Sequence, residues 1–155
     1  MKARVFILTL ALCFVGAAVC FAAEDPHIGT WKLNEAKSKI TAGSPKFTTV
    51  VYEAAGDSVK ITVDGTGGDG KPAHSEWTGK YDGKDYPVTG DSNTDTRSYT
   101  KVNEHTLTIT SKKGDKVTSS ARAVVSADGK TRTVTVNGTD ANGKKFTSTA
   151  VYDKQ

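Results

Sequence analysis

Residues Gly65-Thr66-Gly67-Gly68-Asp69-Gly70-Lys71 carry the spacing of a phosphate-cradling loop, in which backbone N–H groups and a terminal lysine hold a nucleotide. The chemistry fails one position later: Pro72 stands where a Ser or Thr would hold magnesium, and no amphipathic helix follows. Asp91, Asn93 and Asp95 alternate like the first ligands of a calcium loop. Thr96 occupies the place that needs glycine, however, and Val102 the place of the bidentate acid. His74 and Glu76 share a strand face with Thr78 and Lys80, which is a solvated setting, while His27 and His105 have no companions in sequence. A metal site needs three or four converging ligands, so neither a metal nor a cofactor is expected. Nucleophilic catalysis has nothing to start from either. There is no Gly-x-Ser-x-Gly elbow, and the two cysteines, Cys13 and Cys20, lie in a segment due for removal. The chain is expected not to be an enzyme.

That segment is residues 1–23. Lys2 and Arg4 precede an apolar run from Val5 to Val19, and small residues follow at Ala22 and Ala23, the layout of a cleaved secretory signal peptide. The run is short for a membrane span of roughly 20 residues, and there is no second one, so the mature chain is expected free of the membrane, secreted or periplasmic. Residues 24–155 suit one domain with one core. The 21 basic residues nearly balance the 17 acidic ones, and the lysines are scattered through turns. Nucleic-acid binding, which would need a basic stripe interleaved with stacking aromatics, is not expected.

The elements that must position any site are hairpins. Asp69-Gly70-Lys71, Asp82-Gly83-Lys84, Asp128-Gly129-Lys130 and Asn142-Gly143-Lys144 repeat one turn between stretches rich in Thr, Val and Tyr. Asp-Gly and Asn-Gly suit the positive φ angles of two-residue hairpin loops. Ten strand candidates result: residues 30–33, 47–54, 58–66, 72–81, 85–88, 94–102, 105–111, 116–126, 131–139 and 145–152. Residues 34–46 leave room for a short helix. Val59, Ile61 and Val63 alternate with Lys60 and Thr62, so one face is buried and the other wet. A meander of this length escapes exposed edges by closing on itself. The expected fold is all-β, a single up-and-down antiparallel barrel of eight to ten strands.

Gly29-Thr30-Trp31 on the first strand resembles the Gly-x-Trp signature that opens lipocalins and fatty-acid-binding proteins, and Ala150-Val151-Tyr152 resembles the last strand of the fatty-acid-binding type. The resemblance implies a lipocalin-like barrel with Trp31 across its closed end. Antiparallel closure would end the last strand beside the first, placing Tyr152 next to Trp31 and Arg132 at the same end, so Arg132 is expected to stack on the indole as a structural plug that resembles the Trp-Arg pair of lipocalins. The carboxylate clamp of fatty-acid-binding proteins is missing, because Ala150 stands where their arginine would.

What remains for function is the interior. Ala73, Ser75, Trp77, Gly79 and Tyr81 form one face of the fourth strand, and small residues recur at Ser119, Ala121, Ala123, Ser148 and Ala150. Small inward side chains leave volume. The expected site is a pocket for a small, largely apolar ligand, with Trp77, Tyr81 and Tyr99 as walls, a gap above Gly79, and Arg97 for orientation. The alternative is a solid barrel that works through its surface as a protein-interaction or inhibitor module.

Overall fold

The computed structural model describes residues 25–140 and 142–155. The expected signal peptide lies outside them. Ten strands run Gly29–Leu33 (β1), Lys46–Ala55 (β2), Ser58–Thr66 (β3), Pro72–Gly79 (β4), Tyr86–Thr89 (β5), Thr96–Asn103 (β6), Thr106–Lys113 (β7), Lys116–Val125 (β8), Thr131–Thr139 (β9) and Lys145–Lys154 (β10). Each pairs antiparallel with its successor, and β1 also pairs with β10, so the sheet closes into an up-and-down barrel. Both the class and the topology expected from the hairpins and the alternation are found.

Closure rests on a short strand. Only Trp31, Lys32 and Leu33 of β1 pair with β10, opposite Lys154, Asp153 and Tyr152. The earlier half of β10 is covered instead by the β1–β2 connection, where Lys39 and Thr149 exchange two backbone bonds of 2.7 and 2.9 Å. Thr41 adds a bond from its N–H to Ser148 Oγ and one from its hydroxyl to the Thr147 carbonyl. Ordering this loop along the strand leaves space for a single 3-10 turn, Glu35–Lys37, which Asn34 caps by accepting from the Lys37 N–H.

The repeated turn is built differently from the expected two-residue loop. That loop in its type I′ form needs positive φ at both central residues, whereas here only glycines adopt positive φ, Gly70 at +78°, Gly129 at +71° and Gly143 at +80° among them. Each of these glycines donates its N–H to the residue three places back, Gly67, Ser126 and Asp140 respectively. The loops are therefore one-turn connections ending in a left-handed glycine. Asp69 Oδ1 and Asp128 Oδ1 each accept from the backbone N–H of the following lysine, and Asp140 does this in the last loop in place of Asn142. Asp82-Gly83-Lys84 is not a tight hairpin tip: Gly83 donates to the Tyr99 carbonyl and pins the β4–β5 connection against β6.

The end of the barrel where β1 begins is its base, and it is sealed. Trp31 is fully buried and donates its indole N–H to the His27 carbonyl over 2.9 Å. Arg132 and Tyr152 are buried at the same end as directly opposed residues of β9 and β10. The stack of Arg132 on Trp31 is not formed. Because β10 continues two residues past Tyr152, Lys154 lies opposite Trp31 and holds its ammonium 5.3 Å from the indole, while Arg132 lies 4.3 Å over the ring of Tyr52 and donates to that residue's hydroxyl. Tyr152 turns its hydroxyl to the Phe47 carbonyl. Trp31→Ala is expected to cost roughly 3 to 5 kcal/mol through the cavity left at the base; a loss below about 1 kcal/mol in a urea titration would remove Trp31 from this role.

Candidate functional site

Side chains pointing inward divide the barrel in two. In the lower half, Trp31, Ile61, Leu107 and Ala123 have 0% exposure and Trp77 has 1%. Inward-facing Val50, Val63, Ser75, Val88, Arg97, Ser111 and Ala150 are also buried, at 6% to 9%, and Val50 and Val88 lie directly opposite Trp31 and Trp77. Further around the wall Ile109, Ser119, Ala121, Val134 and Val136 share the inward face and are only half-buried. The physical source is side-chain size. β8 and β10 put Ser119, Ala121, Ser148 and Ala150 on this face, while the large rings crowd toward β4, β6 and the base.

The expected aromatic walls form a floor. Trp77 and Tyr99 lie 4.5 Å apart between ring centroids, Tyr81 and Tyr99 6.0 Å, and Trp77 and Tyr86 5.7 Å edge to face. Trp77 donates its indole N–H to the Arg97 carbonyl over 2.8 Å, which fixes the ring. The gap expected above Gly79 is filled: a β-carbon there would come within 2.6 Å of the Tyr86 ring and 2.7 Å of the Trp77 ring. Tyr86 pairs along β5 against β6, so its ring reaches Gly79 from a strand that the sequence pattern of β4 does not reveal. Glycine is required at position 79 to seat that ring. Gly79→Leu is therefore expected to destabilise the barrel by roughly 1 to 3 kcal/mol through overpacking, measured by thermal unfolding; a variant as stable as the parent would show that Tyr86 does not occupy the space.

Arg97 sits apart from that cluster, toward the open end. Its Nε donates to Ser111 Oγ over 3.1 Å, and Nη2 lies 3.8 Å from Asp91 Oδ2. Ser44 and Ser148 hydroxyls meet at 3.0 Å on the other side. Phe146 lies over Gly138, where a β-carbon would come within 2.7 Å of its ring, so it stands at the rim of the wall. A shallow, open depression of about 270 Å³ lies across the β8–β9 ladder, lined by Val117, Thr118, Ser119, Asn137, Gly138 and Lys145 and not by Trp77, Tyr99 or Arg97. The arrangement offers aliphatic walls, an aromatic floor and one guanidinium at the side.

Two features went unread in the sequence. Tyr86 is one, placed by a four-residue strand. The other is His27, which has no spacing signal because a turn at residues 25–28 tucks it beneath the barrel: Asp25 accepts from the backbone N–H groups of His27 and Ile28. The ring is fully buried, and burial first, then the Arg132 charge, push its pKa down to about 3. The neutral ring is thus the folded form. His27 stabilises the fold fully above the unfolded value near 6.5, and that contribution is lost as pH falls from there toward 3. Acid titration of stability should fall across this window, and His27→Gln should flatten it; an unchanged slope would show that His27 is not the titrating group.

No family description matches the chain, and no curated protein matches it. Among solved structures, a redesigned β-barrel, mFAP1, bound to DFHBI is similar over 83% of this chain and 95% of that one, at 16% identity and a TM-score of 0.43. By its own strand order the protein is a closed ten-stranded antiparallel up-and-down β-barrel.

Proposed function

We propose that the chain is an exported, lipocalin-like binding barrel that holds one small, largely apolar molecule in its upper half, without turning it over. The observation that carries this reading is that the inward aliphatic side chains Ile109, Val134 and Val136 are only half-buried, beside the buried rings of Trp77 and Tyr99. Apolar surface that faces a lumen and remains wet favours a guest, at roughly 25 cal/mol per Å² covered. Trp77 and Tyr99 would meet the guest's inner end. Arg97, held by Ser111 and partly compensated by Asp91, would orient a polar group on it.

Filling the lumen tests this. Ala121, half-buried on the inward face of β8, can be replaced by Phe. Titration of the parent with an environment-sensitive apolar dye, followed by tryptophan fluorescence, is expected to saturate. Ala121→Phe should weaken that binding tenfold or more, about 1.4 kcal/mol, with the unfolding midpoint nearly unchanged. A parent that binds no dye would favour the solid barrel that works through its surface.

The head group is a separate expectation. Ala150 supplies no cation, and Arg97 already faces a carboxylate, so an acid and the corresponding alcohol should bind within about tenfold of each other. Isothermal titration of the two compares them directly, and a hundredfold preference for the acid would assign Arg97 the role of a clamp.

A further inference from the structure

Arg132 is 2% exposed, the most deeply buried cation of the barrel, and among the described residues no carboxylate lies within 4 Å of it. The other buried arginine, Arg97, has Asp91 at 3.8 Å. Arg132 is met by a neutral partner: its guanidinium lies over the Tyr52 ring and donates one N–H to the Tyr52 hydroxyl. Burial holds the Tyr52 hydroxyl in its protonated form, so it supplies no compensating charge. A buried, uncompensated cation is costly, by several kcal/mol, unless something of opposite charge accompanies it.

The same end of the interior collects polar atoms that the protein leaves without partners. Arg132 Nε, both ring nitrogens of His27, the Tyr81 hydroxyl and Nδ1 of His105 are buried and make no hydrogen bond among the described residues. Three of these side chains are neighbours: the His27 ring centroid lies 6.4 Å from those of Tyr52 and Tyr81, and Arg132 covers Tyr52. Native interiors satisfy the great majority of such groups. Arg132 Nε can only donate, the Tyr81 hydroxyl can donate, and each neutral imidazole can turn one N–H inward. Lys101 and Lys154 add positive potential from the margin of the base. Unpartnered donors beside a buried positive charge suit an anion, and with Val125 buried opposite Arg132 and Trp31 and Leu107 fully buried, a dry core favours a very small one.

We infer that the base of the barrel is a binding site for a single small inorganic anion of halide size, held by Arg132 with the Tyr81 hydroxyl and His27 completing its coordination. The anion serves as the counterion that the chain itself does not provide for Arg132. This site lies at the opposite end from the lumen proposed to hold an apolar guest, and the two stand independently.

The test uses the folded protein and simple salts. At constant ionic strength, replacing gluconate by chloride or bromide should raise the thermal midpoint by at least about 2 °C and saturate with concentration. Tyr81→Phe removes a hydroxyl that bonds to nothing in the protein, so the variant should remain folded while its halide dependence shifts to several-fold higher concentration. Arg132→Met should lose that dependence altogether. If that variant does not fold, the parent and Tyr81→Phe still decide the matter. Crystals grown in bromide should show anomalous scattering beside Arg132 Nε. Midpoints that depend on ionic strength alone, together with a water and no bromide at that position, would overturn the proposal.

Discussion

The structure depends on β1 being able to hold two ladders at once. Its five residues pair with β2 on one side and β10 on the other, and without that double pairing the remaining nine strands would form an open sheet with two bare edges. The strand is too short to cover β10, so the 34–45 connection lies along the uncovered half through Lys39, Thr41 and Ser44. That requirement explains why only the single 3-10 turn Glu35–Lys37 forms there. A loop committed to backbone pairing has little chain left to coil.

Closure also sorts the side chains. Once the sheet is a barrel, every second residue of ten strands projects into one volume, and the sum of their sizes decides where that volume is full. Large rings come from β1, β2, β4, β5 and β6 and from Tyr152 at the end of β10, and they pack the base and the waist. Small residues come from β8 and β10, and the wall they line remains partly wet. Polar character follows the same division in a less expected way. The open end carries Arg97 with its acid and serine partners, and the sealed end carries Arg132, bonded to the neutral Tyr52 hydroxyl, and a His27 ring with no hydrogen bond among the described residues. Surface ion pairs such as Lys60 with Glu76 or Lys113 with Asp95 are exposed and screened by solvent, so they add little. The barrel's stability therefore rests on closure and core packing.

Strand positions were legible because two local signals agreed. The alternation of Val59, Ile61 and Val63 with polar neighbours has the period of a strand, and Asp-Gly-Lys punctuates the segments; observed strand ends differ from those read in the sequence by no more than two residues. The aspartate in this triplet acts locally, accepting from the lysine N–H two residues on, so its effect needs no tertiary context. The turn geometry was less legible. Positive φ at the glycine alone and at both central residues are compatible with the same dipeptide, and the ladder on either side selects between them.

The candidate site was legible as a list of inward residues but not as an arrangement. Trp77, Tyr81, Tyr99 and Arg97 could be assigned to the interior from alternation alone, because which face of a strand is buried is a property of that strand. Whether a gap stays open is a property of the opposite wall. Tyr86 fills the space over Gly79 from β5, and Lys154 reaches Trp31 in place of Arg132, since the register between β1 and β10 is set two residues beyond Tyr152. His27 carries no pattern and is buried only because the chain before β1 folds under the base. The sequence by itself determined the meander, its turns and its two-faced strands, all of which follow from interactions over a few residues. The tertiary structure alone decided which side chains meet across the barrel, because closure and register bring together residues whose separation along the chain encodes nothing about their contact.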